Sequence, residues 1–193
     1  EGHDLELNLS GFVVVKGDLV FEKQGVGEAQ KILIGASGAS AFLGVAGQGL
    51  RVSGLQLGML LLADAQSSSG KYALHAVGQV ALEGLAALTL SGAVIVRANH
   101  TGAAVDEAVA GVAIVFADGT PVSQIVGTGL ELDLEDFVSL SGNFSFEHSG
   151  SSPDSKLLIA ATGVSVFLGA NGGTAQAMGV QLSGGALGLV LYE

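Results

Sequence analysis

The residues of this chain best suited to chemistry are the acidic side chains of one short segment. Glu131, Asp133 and Glu135 alternate along the sequence and are followed by Asp136. Alternate residues of a β-strand share a face, and clustered carboxylate oxygens are the ligands that Ca²⁺ prefers. The segment lacks a DxDxDG loop and a GGxGxD nonapeptide. We therefore predict no cofactor, and we keep Glu131, Asp133 and Glu135 as the candidate ligands if calcium is bound.

Other catalytic patterns are missing from the sequence. The histidines His3, His75, His100 and His148 are widely separated, with no spacing typical of a zinc site. No GxSxG elbow occurs, and no glycine-rich segment continues into the Gly-Lys-Ser/Thr of a phosphate loop. A glycosidase cleft needs paired carboxylates and sugar-stacking aromatics, whereas the chain has two tyrosines and no tryptophan. We predict no catalytic or cofactor-binding residues and no enzyme activity.

Three asparagines lie in Asn-x-Ser/Thr sequons, namely Asn8, Asn99 and Asn143. In a secreted eukaryotic chain such sequons accept glycans. Residue alternation places Asn8 and Asn143 on the outward side of their strands. The sequence leaves open whether any of the three is modified.

Composition narrows the choice of partners. Of the 193 residues 49% are hydrophobic and 13% are charged, which excludes intrinsic disorder. The net charge of −11 excludes nucleic acid, because phosphate binding needs clustered Lys and Arg. No apolar run reaches the roughly 18 residues of a membrane span, so we predict no membrane insertion. The absence of cysteine excludes disulfides and thiolate chemistry.

The elements that must position these residues are repeated. The segment 5–22 returns at 130–147 with nine of eighteen residues identical, and 31–47 returns at 156–172 with ten of seventeen identical. Both pairs share an offset of 125 residues, which is the signature of a repeat architecture. We predict a first repeat unit at 1–129 and a partial second copy at 130–193, continuous with the first.

Alternation of apolar residues indicates long strands and no helix. Leu5, Leu7 and Leu9 begin a two-residue period that runs on to Phe21. Similar runs between turn-rich segments give about nine strands, which are longer than ordinary strands. Glycines recur in mid-strand, where they mark bends or close approaches: Gly17, Gly54, Gly92, Gly142 and Gly184. The alternation slips by one residue at Gly54 and Gly184, as a β-bulge would cause.

These patterns predict an all-β fold, an antiparallel meander of glycine-bent strands forming an elongated rod or a two-sheet sandwich. A right-handed β-helix or solenoid is the alternative. Alternation also predicts a buried set, listed here: Leu7, Val13, Leu19, Phe21, Phe42, Leu74, Leu90, Val94, Phe116, Leu132, Phe144, Phe146 and Phe167. The residues predicted to be exposed are Lys16, Glu22, Arg97, Asp133 and Glu147.

The repeated blocks LELDLEDFVSLSGNFSFE, KLLIAATGVSVFLGANG and VQLSGGALGLVLY resemble the tandem glycine-rich β repeats of giant bacterial surface proteins of the large-adhesin and biofilm-matrix type. The resemblance implies an extracellular or cell-surface stalk, spacer or filament-forming segment that provides length and stiffness. Its partners would be neighbouring repeats or like chains bound end to end. The alternative function is an extracellular binding module that recognises a glycan or a protein through its turns.

Overall fold

The structure is a computed structural model that describes residues 2–9, 13–27, 30–63, 71–135, 137–151, 154–172 and 174–192. At 4, 7–9 and 13 it describes the backbone alone. Within these ranges the chain is nearly all β-strand and contains no helix. The predicted all-β class is confirmed.

Twelve strands follow one another along the chain. They are β1 (Gly2–Leu9), β2 (Val13–Gln24), β3 (Lys31–Val45), β4 (Gln48–Leu62), β5 (Lys71–Glu83), β6 (Leu88–Asn99), β7 (Val105–Val109), β8 (Val112–Phe116), β9 (Val122–Leu134), β10 (Val138–Ser149), β11 (Lys156–Ala170) and β12 (Met178–Tyr192). The predicted number, about nine, was wrong. The period from Leu5 to Phe21, interpreted as one long strand, belongs to two strands, β1 and β2, which pair antiparallel with each other. The short β7 and β8 were not recognised either, because the segment around VDEAV reads as a turn when it is judged by its polar residues.

Ten strands form one antiparallel sheet in the order β1-β2-β3-β4-β5-β6-β9-β10-β11-β12, and β7 pairs with β8 as a separate hairpin. Strand neighbours in this sheet are also neighbours in sequence, except where β6 pairs with β9 across the hairpin. The predicted antiparallel meander is confirmed. The right-handed β-helix alternative is wrong, because its strands would be parallel. The boundary predicted at 129/130 falls inside β9.

The mid-strand glycines lie at equivalent bends, as predicted. Gly17, Gly92 and Gly142 have φ angles of 149°, 144° and 154°, a conformation that side-chain-bearing residues rarely adopt. Ladder register shifts lie beside each of them. A Cβ at Gly17 would also lie 2.7 Å from Ala39 Cβ, so that the neighbouring strand leaves no room for one. These glycines belong to a crease that crosses the sheet.

The two predicted bulges are present as well. Gly54 and Gly184 have φ angles of 59° and 69°, and the ladders shift register next to each of them. An extra residue at these points restores hydrogen bonding beyond the crease while it bends the strand. The crease therefore combines bulged strands with strands that bend at a glycine without changing parity.

One row of directly paired residues shows how unlike the two sides of the sheet are. Every member of this row is apolar, and it crosses nine strands: Leu19, Ala36, Leu57, Ala76, Val96, Ile125, Phe146, Ile159 and Leu189. We call the side that carries this row the apolar face. The adjacent row lies on the opposite side and is mixed: Val20, Gly35, Gly58, His75, Arg97, Gln124, Glu147, Leu158 and Val190.

The best-buried core lies on that second side, which we call the hairpin face because the β7–β8 hairpin packs on it over β3, β4 and β5. Its buried cluster consists of Leu33, Leu60, Ala73, Val105, Val109, Ile114 and Phe116. Four of these seven residues come from the hairpin, so the short strands supply most of this second layer. Two packed layers are what an isolated sheet needs to bury one of its faces.

The predicted core is only partly right. Phe116 is buried as predicted, but Phe21 and Phe146 are 55% and 47% exposed. Alternation placed them correctly on the apolar face. They are exposed because no other element of the described chain covers that face, and alternation alone carries no information about a second layer.

The rest of the list divides in the same way. Partly buried members are Leu19, Phe42, Leu74, Leu90, Val94, Leu132, Phe144 and Phe167. Leu7 and Val13 lie outside the described side chains. Lys16 and Glu22 are exposed as predicted, whereas Arg97, Asp133 and Glu147 are partly buried, contrary to prediction.

Candidate functional surfaces

The structure divides the described residues of the acidic segment between a strand and a turn. Glu131 and Asp133 share the hairpin-face side of β9, where Glu131 pairs with Ser91 and Ser141 on the flanking strands. Glu135 lies in the β9–β10 turn with a φ of 46°, and Asp136 lies outside the described residues. In the described part of the chain, no group of three or more His, Asp or Glu side chains could hold a metal ion.

The histidines make separate contacts. His3 lies 3.3 Å from an Asp18 carboxylate oxygen, and His75 Nδ1 lies 2.9 Å from the Ala113 carbonyl oxygen of the hairpin. His100 Nε2 lies 2.9 Å from Ser123 Oγ, and its ring is 5.0 Å from the Tyr72 ring. These contacts link neighbouring elements of the fold.

The hairpin docks where two glycines let it approach the sheet. A Cβ at Gly58 would lie 2.8 Å from Ile114 Cγ1, and one at Gly35 would lie 2.7 Å from Ala110 Cβ. Both distances are shorter than real Cβ contacts, so a side chain at either position would push the hairpin outward. Ile114 is fully buried as a result of this close approach.

Polar groups hold the rim of the same contact. Arg97 donates a hydrogen bond to the Val115 carbonyl at 2.9 Å, and its guanidinium carbon lies 4.9 Å from the Phe116 ring centroid. The Lys31 ammonium contacts a Glu107 carboxylate oxygen at 2.5 Å. These side chains fix the position of the hairpin, because hydrogen bonds are directional and the apolar contacts beneath them are not.

Asn99 forms hydrogen bonds with both ends of the segment 103–118, which carries the β7–β8 hairpin. Its side-chain amide donates to the carbonyl oxygens of Ala103 and Asp118, each at 3.0 Å. Its Oδ1 accepts hydrogen bonds from the Thr101 backbone N–H at 3.0 Å and from the Thr101 hydroxyl at 2.8 Å. Asn99 is fully buried, so this sequon is closed to modification in the folded chain. The sequon at Asn143 is exposed, and the Asn8 side chain lies outside the described ones.

Sequence reasoning missed the residues that hold the hairpin. Gly35 and Gly58 follow the general glycine enrichment, and Asn99 was noted only as a sequon. A usable signal was present, since Asn99 ends a long strand and is followed by the polar segment from which the hairpin emerges. Nothing in alternation shows that this segment returns to the sheet.

One ion pair joins the beginning of β4 to the end of β5. Arg51 binds Glu83 through two hydrogen bonds, one of them from Nη2 to Oε2 at 2.8 Å, and its guanidinium carbon lies 5.6 Å from the Phe42 ring centroid. The hydrogen bond with Arg51 holds the pKa of Glu83 below its usual value. The same pairing raises the pKa of Arg51.

The open edges of the sheet have paired counterparts inside it. By the offset of 125 residues, segment 5–9 of β1 corresponds to 130–134 of β9. Segment 52–62 of β4 corresponds to 182–192 of β12, with five of eleven residues identical at an offset of 130. Yet β9 pairs with β6 and β4 pairs with β5 on the sides where β1 and β12 have no neighbour in the described sheet.

The described residues contain no helix long and apolar enough to cross a membrane. No family model matches the chain. Neither a curated protein nor a solved structure matches it. The geometry of the sheet is therefore the basis for assigning a role.

Proposed function

We propose that this chain is a structural repeat segment, a stalk, spacer or fibre-forming unit of a secreted or cell-surface protein. One observation carries the proposal. The two open edges belong to strands whose repeat equivalents, β4 and β9, are paired on both sides within the same sheet. The sequence of each edge strand is therefore compatible with a further neighbour, and the sheet can be extended by a strand equivalent to β5 beside β12 and by a strand equivalent to β6 beside β1.

Extension of this sheet produces length in regular steps. Strands lie about 4.8 Å apart, and the repeat moves six places along the sheet, from β1 to β9. Each further repeat would therefore add about 29 Å. Stability in such arrays accumulates from neighbour to neighbour, which suits a protein that must be long and resist unfolding. This role requires neither a cofactor nor a catalytic residue.

The test is association through the edges. An exposed edge strand is a template for pairing, and the net charge of −11 opposes association at low salt. Sedimentation velocity should show an open-ended series of species that lengthens as the protein concentration and the salt concentration rise. A chain whose assembly does not lengthen between low and high salt would contradict the proposal and favour a binding module that acts through its turns.

A peptide provides a sharper version of this test. Since β12 corresponds to β4 and β4 pairs with β5, a peptide of sequence 71–83 should pair with β12 and stop growth at that edge. A scrambled peptide of the same composition is the matched control. Equal growth with both peptides would show that association does not follow the register of the repeat.

A further inference from the structure

The largest unused feature of the molecule is the apolar face. Beside the nine-residue apolar row runs a second row, Phe21, Ile34, Met59, Leu74, Ala98, Ser123, His148, Leu157 and Leu191, which is apolar in seven of its nine members. A groove of about 350 Å³ lies between the two rows, lined by Leu74, Val96, Ile125, Phe146 and Leu157. This face lies opposite the hairpin, so the hairpin does not cover it.

The accessible surface area of the chain is much larger than that of a compact monomer of the same mass. The accessible surface is 11236 Å² for a mass of 19.1 kDa. A compact monomer of that mass exposes about 8,400 Å². The excess, about 2,800 Å², exceeds the roughly 800 Å² that each partner buries in a stable protein–protein interface.

Charge is distributed unevenly between the two faces. Among the described strand side chains, Lys23 is the one Lys, Arg, Asp or Glu on the apolar face, and it lies at the end of β2. Carboxylates such as Glu83, Glu131 and Glu147 lie on the other side of the sheet. Like faces can therefore meet without bringing charges together, although the whole chain is strongly acidic. This pattern matches the cores of interfaces, which are depleted in charge.

We infer that the apolar face is a docking surface for a second copy of this chain, face to face, in a closed two-sheet dimer. The occupant is a like sheet because sheets of equal twist stack about 10 Å apart with aligned strands. A two-fold axis places the same patch on both partners and so closes the assembly at two copies. This inference does not depend on the proposed function, which concerns the strand edges.

The first test breaks the face without touching the hairpin. Ile125 and Val115 are equally exposed, at 51% each, but Ile125 lies on the apolar face and Val115 lies on the hairpin. With the 71–83 peptide present to stop growth at the edge, the unaltered chain should sediment as a dimer of twice 19.1 kDa. Ile125→Lys should weaken dimerisation by about tenfold or more, since it places a charge in a desolvated contact. Val115→Lys should leave dimerisation unchanged.

The second test keeps the face apolar and works even if Ile125→Lys does not fold. The chain has no cysteine, so Ile125→Cys and Val115→Cys each carry a single thiol. Modification of Ile125→Cys by a maleimide should slow as the protein concentration rises, while the rate for Val115→Cys stays constant. Equal and concentration-independent rates at the two positions would overturn the inference.

Further outcomes separate face docking from edge pairing. The 71–83 peptide should leave the closed dimer intact, because it acts only on an edge strand. A monomer at all concentrations would overturn the inference, and so would a dimer that the peptide dissolves. Binding of a monomeric chain to phosphatidylcholine vesicles would also overturn it, since the occupant of the face would then be lipid.

Discussion

The hairpin face carries two copies of the same repeated pair of strands, β3–β4 and β11–β12, in two different environments. Leu33 in the first copy is 1% exposed beneath the hairpin, while its equivalent Leu158 is only partly buried. A Cβ at Gly58 would lie 2.8 Å from Ile114, whereas one at its equivalent Gly188 would meet no atom within 4 Å. The same repeat therefore provides a core in one place and an open surface in the other, depending on the inserted hairpin.

Within the described chain, the second copy, β11–β12, differs from β3–β4 in sequence as well as in lacking a hairpin above it. Ala160 occupies the position equivalent to Gly35, where a Cβ would lie 2.7 Å from Ala110 Cβ of the hairpin. A hairpin with an alanine at that position could not approach the second copy as closely. The comparison shows that the strands are a shared scaffold, and that the docking of an extra layer depends on a few small residues.

The largest predicted difference is at the equivalent leucines. Leu33→Ala should lower the free energy of unfolding by about 3 kcal/mol, because it leaves a cavity under the hairpin. Leu158→Ala should cost about 1 kcal/mol, since its surroundings are already partly open. Urea denaturation of the two variants measures the difference. Equal losses would mean that the two copies are covered alike.

A somewhat smaller loss is expected at the hairpin's buried anchor. Asn99→Ala should cost about 2 kcal/mol, since the Ala103 and Asp118 carbonyls and the Thr101 N–H lose a buried partner. Asn143→Ala is the control, because this exposed side chain accepts one hydrogen bond, from the Gly129 N–H. Amide hydrogen exchange should show faster exchange in β7 and β8 for the Asn99 variant alone. Unchanged exchange there would contradict the anchoring role.

Substitution of the equivalent glycines Gly58 and Gly188 by alanine should have different effects on the free energy of unfolding. Gly58→Ala should lower stability by about 1 kcal/mol, because its methyl group overpacks against Ile114. Gly188→Ala should be neutral or should stabilise by about 0.5 kcal/mol, since the site is open and the unfolded chain loses freedom. Thermal unfolding of both variants provides the comparison. A loss at Gly188 equal to that at Gly58 would show a layer over the second copy.

The smallest effect concerns pH. Arg51 pairs with Glu83, whereas Gln181 occupies the equivalent position in the second copy. The folded-state pKa of Glu83 is lowered by Arg51, so this pair stabilises the fold above the unfolded pKa of Glu83. That contribution is lost as the pH falls through the folded pKa.

Glu83→Gln should therefore reduce the acid dependence of unfolding. Asp118→Asn should remove a second such contribution, because hydrogen bonds from Thr120 lower the pKa of Asp118. Urea midpoints measured from pH 7 down to about pH 3 test both variants. An acid dependence unchanged by Glu83→Gln would contradict a stabilising role for the pair.

The strands and their bends could be predicted because their causes are local. Alternation follows from the two-residue period of a strand, and the left-handed φ at Gly54 needs a residue without a side chain. The exposure of Phe21 and Phe146 could not be predicted in this way. Whether a face is covered depends on a distant segment. Here that segment is the β7–β8 hairpin, whose strands have only five residues each and which covers the opposite face.

The candidate calcium ligands and Asn99 show the same division between features with a local cause and features that depend on the tertiary structure. Alternation correctly placed Glu131 and Asp133 on one face of a strand, but the third ligand position fell in a turn at Glu135. The role of Asn99 depends on the return of the chain to the sheet at Asp118, which no local pattern encodes. Residue spacing predicted the strand faces, and only the tertiary structure shows which groups they meet.

The order of strands in the sheet also has a consequence for how quickly the chain can fold. Every pairing but one joins consecutive strands, so most contacts close short loops, and an all-β protein of this kind has an unusually low contact order. The exception is the pairing of β6 with β9, which must close the segment 100–121. Hairpins can form independently on either side of that segment. The rate at which the two halves join should therefore follow the closure of this one loop, and shortening or loosening it should change the refolding rate more than any change in the other turns.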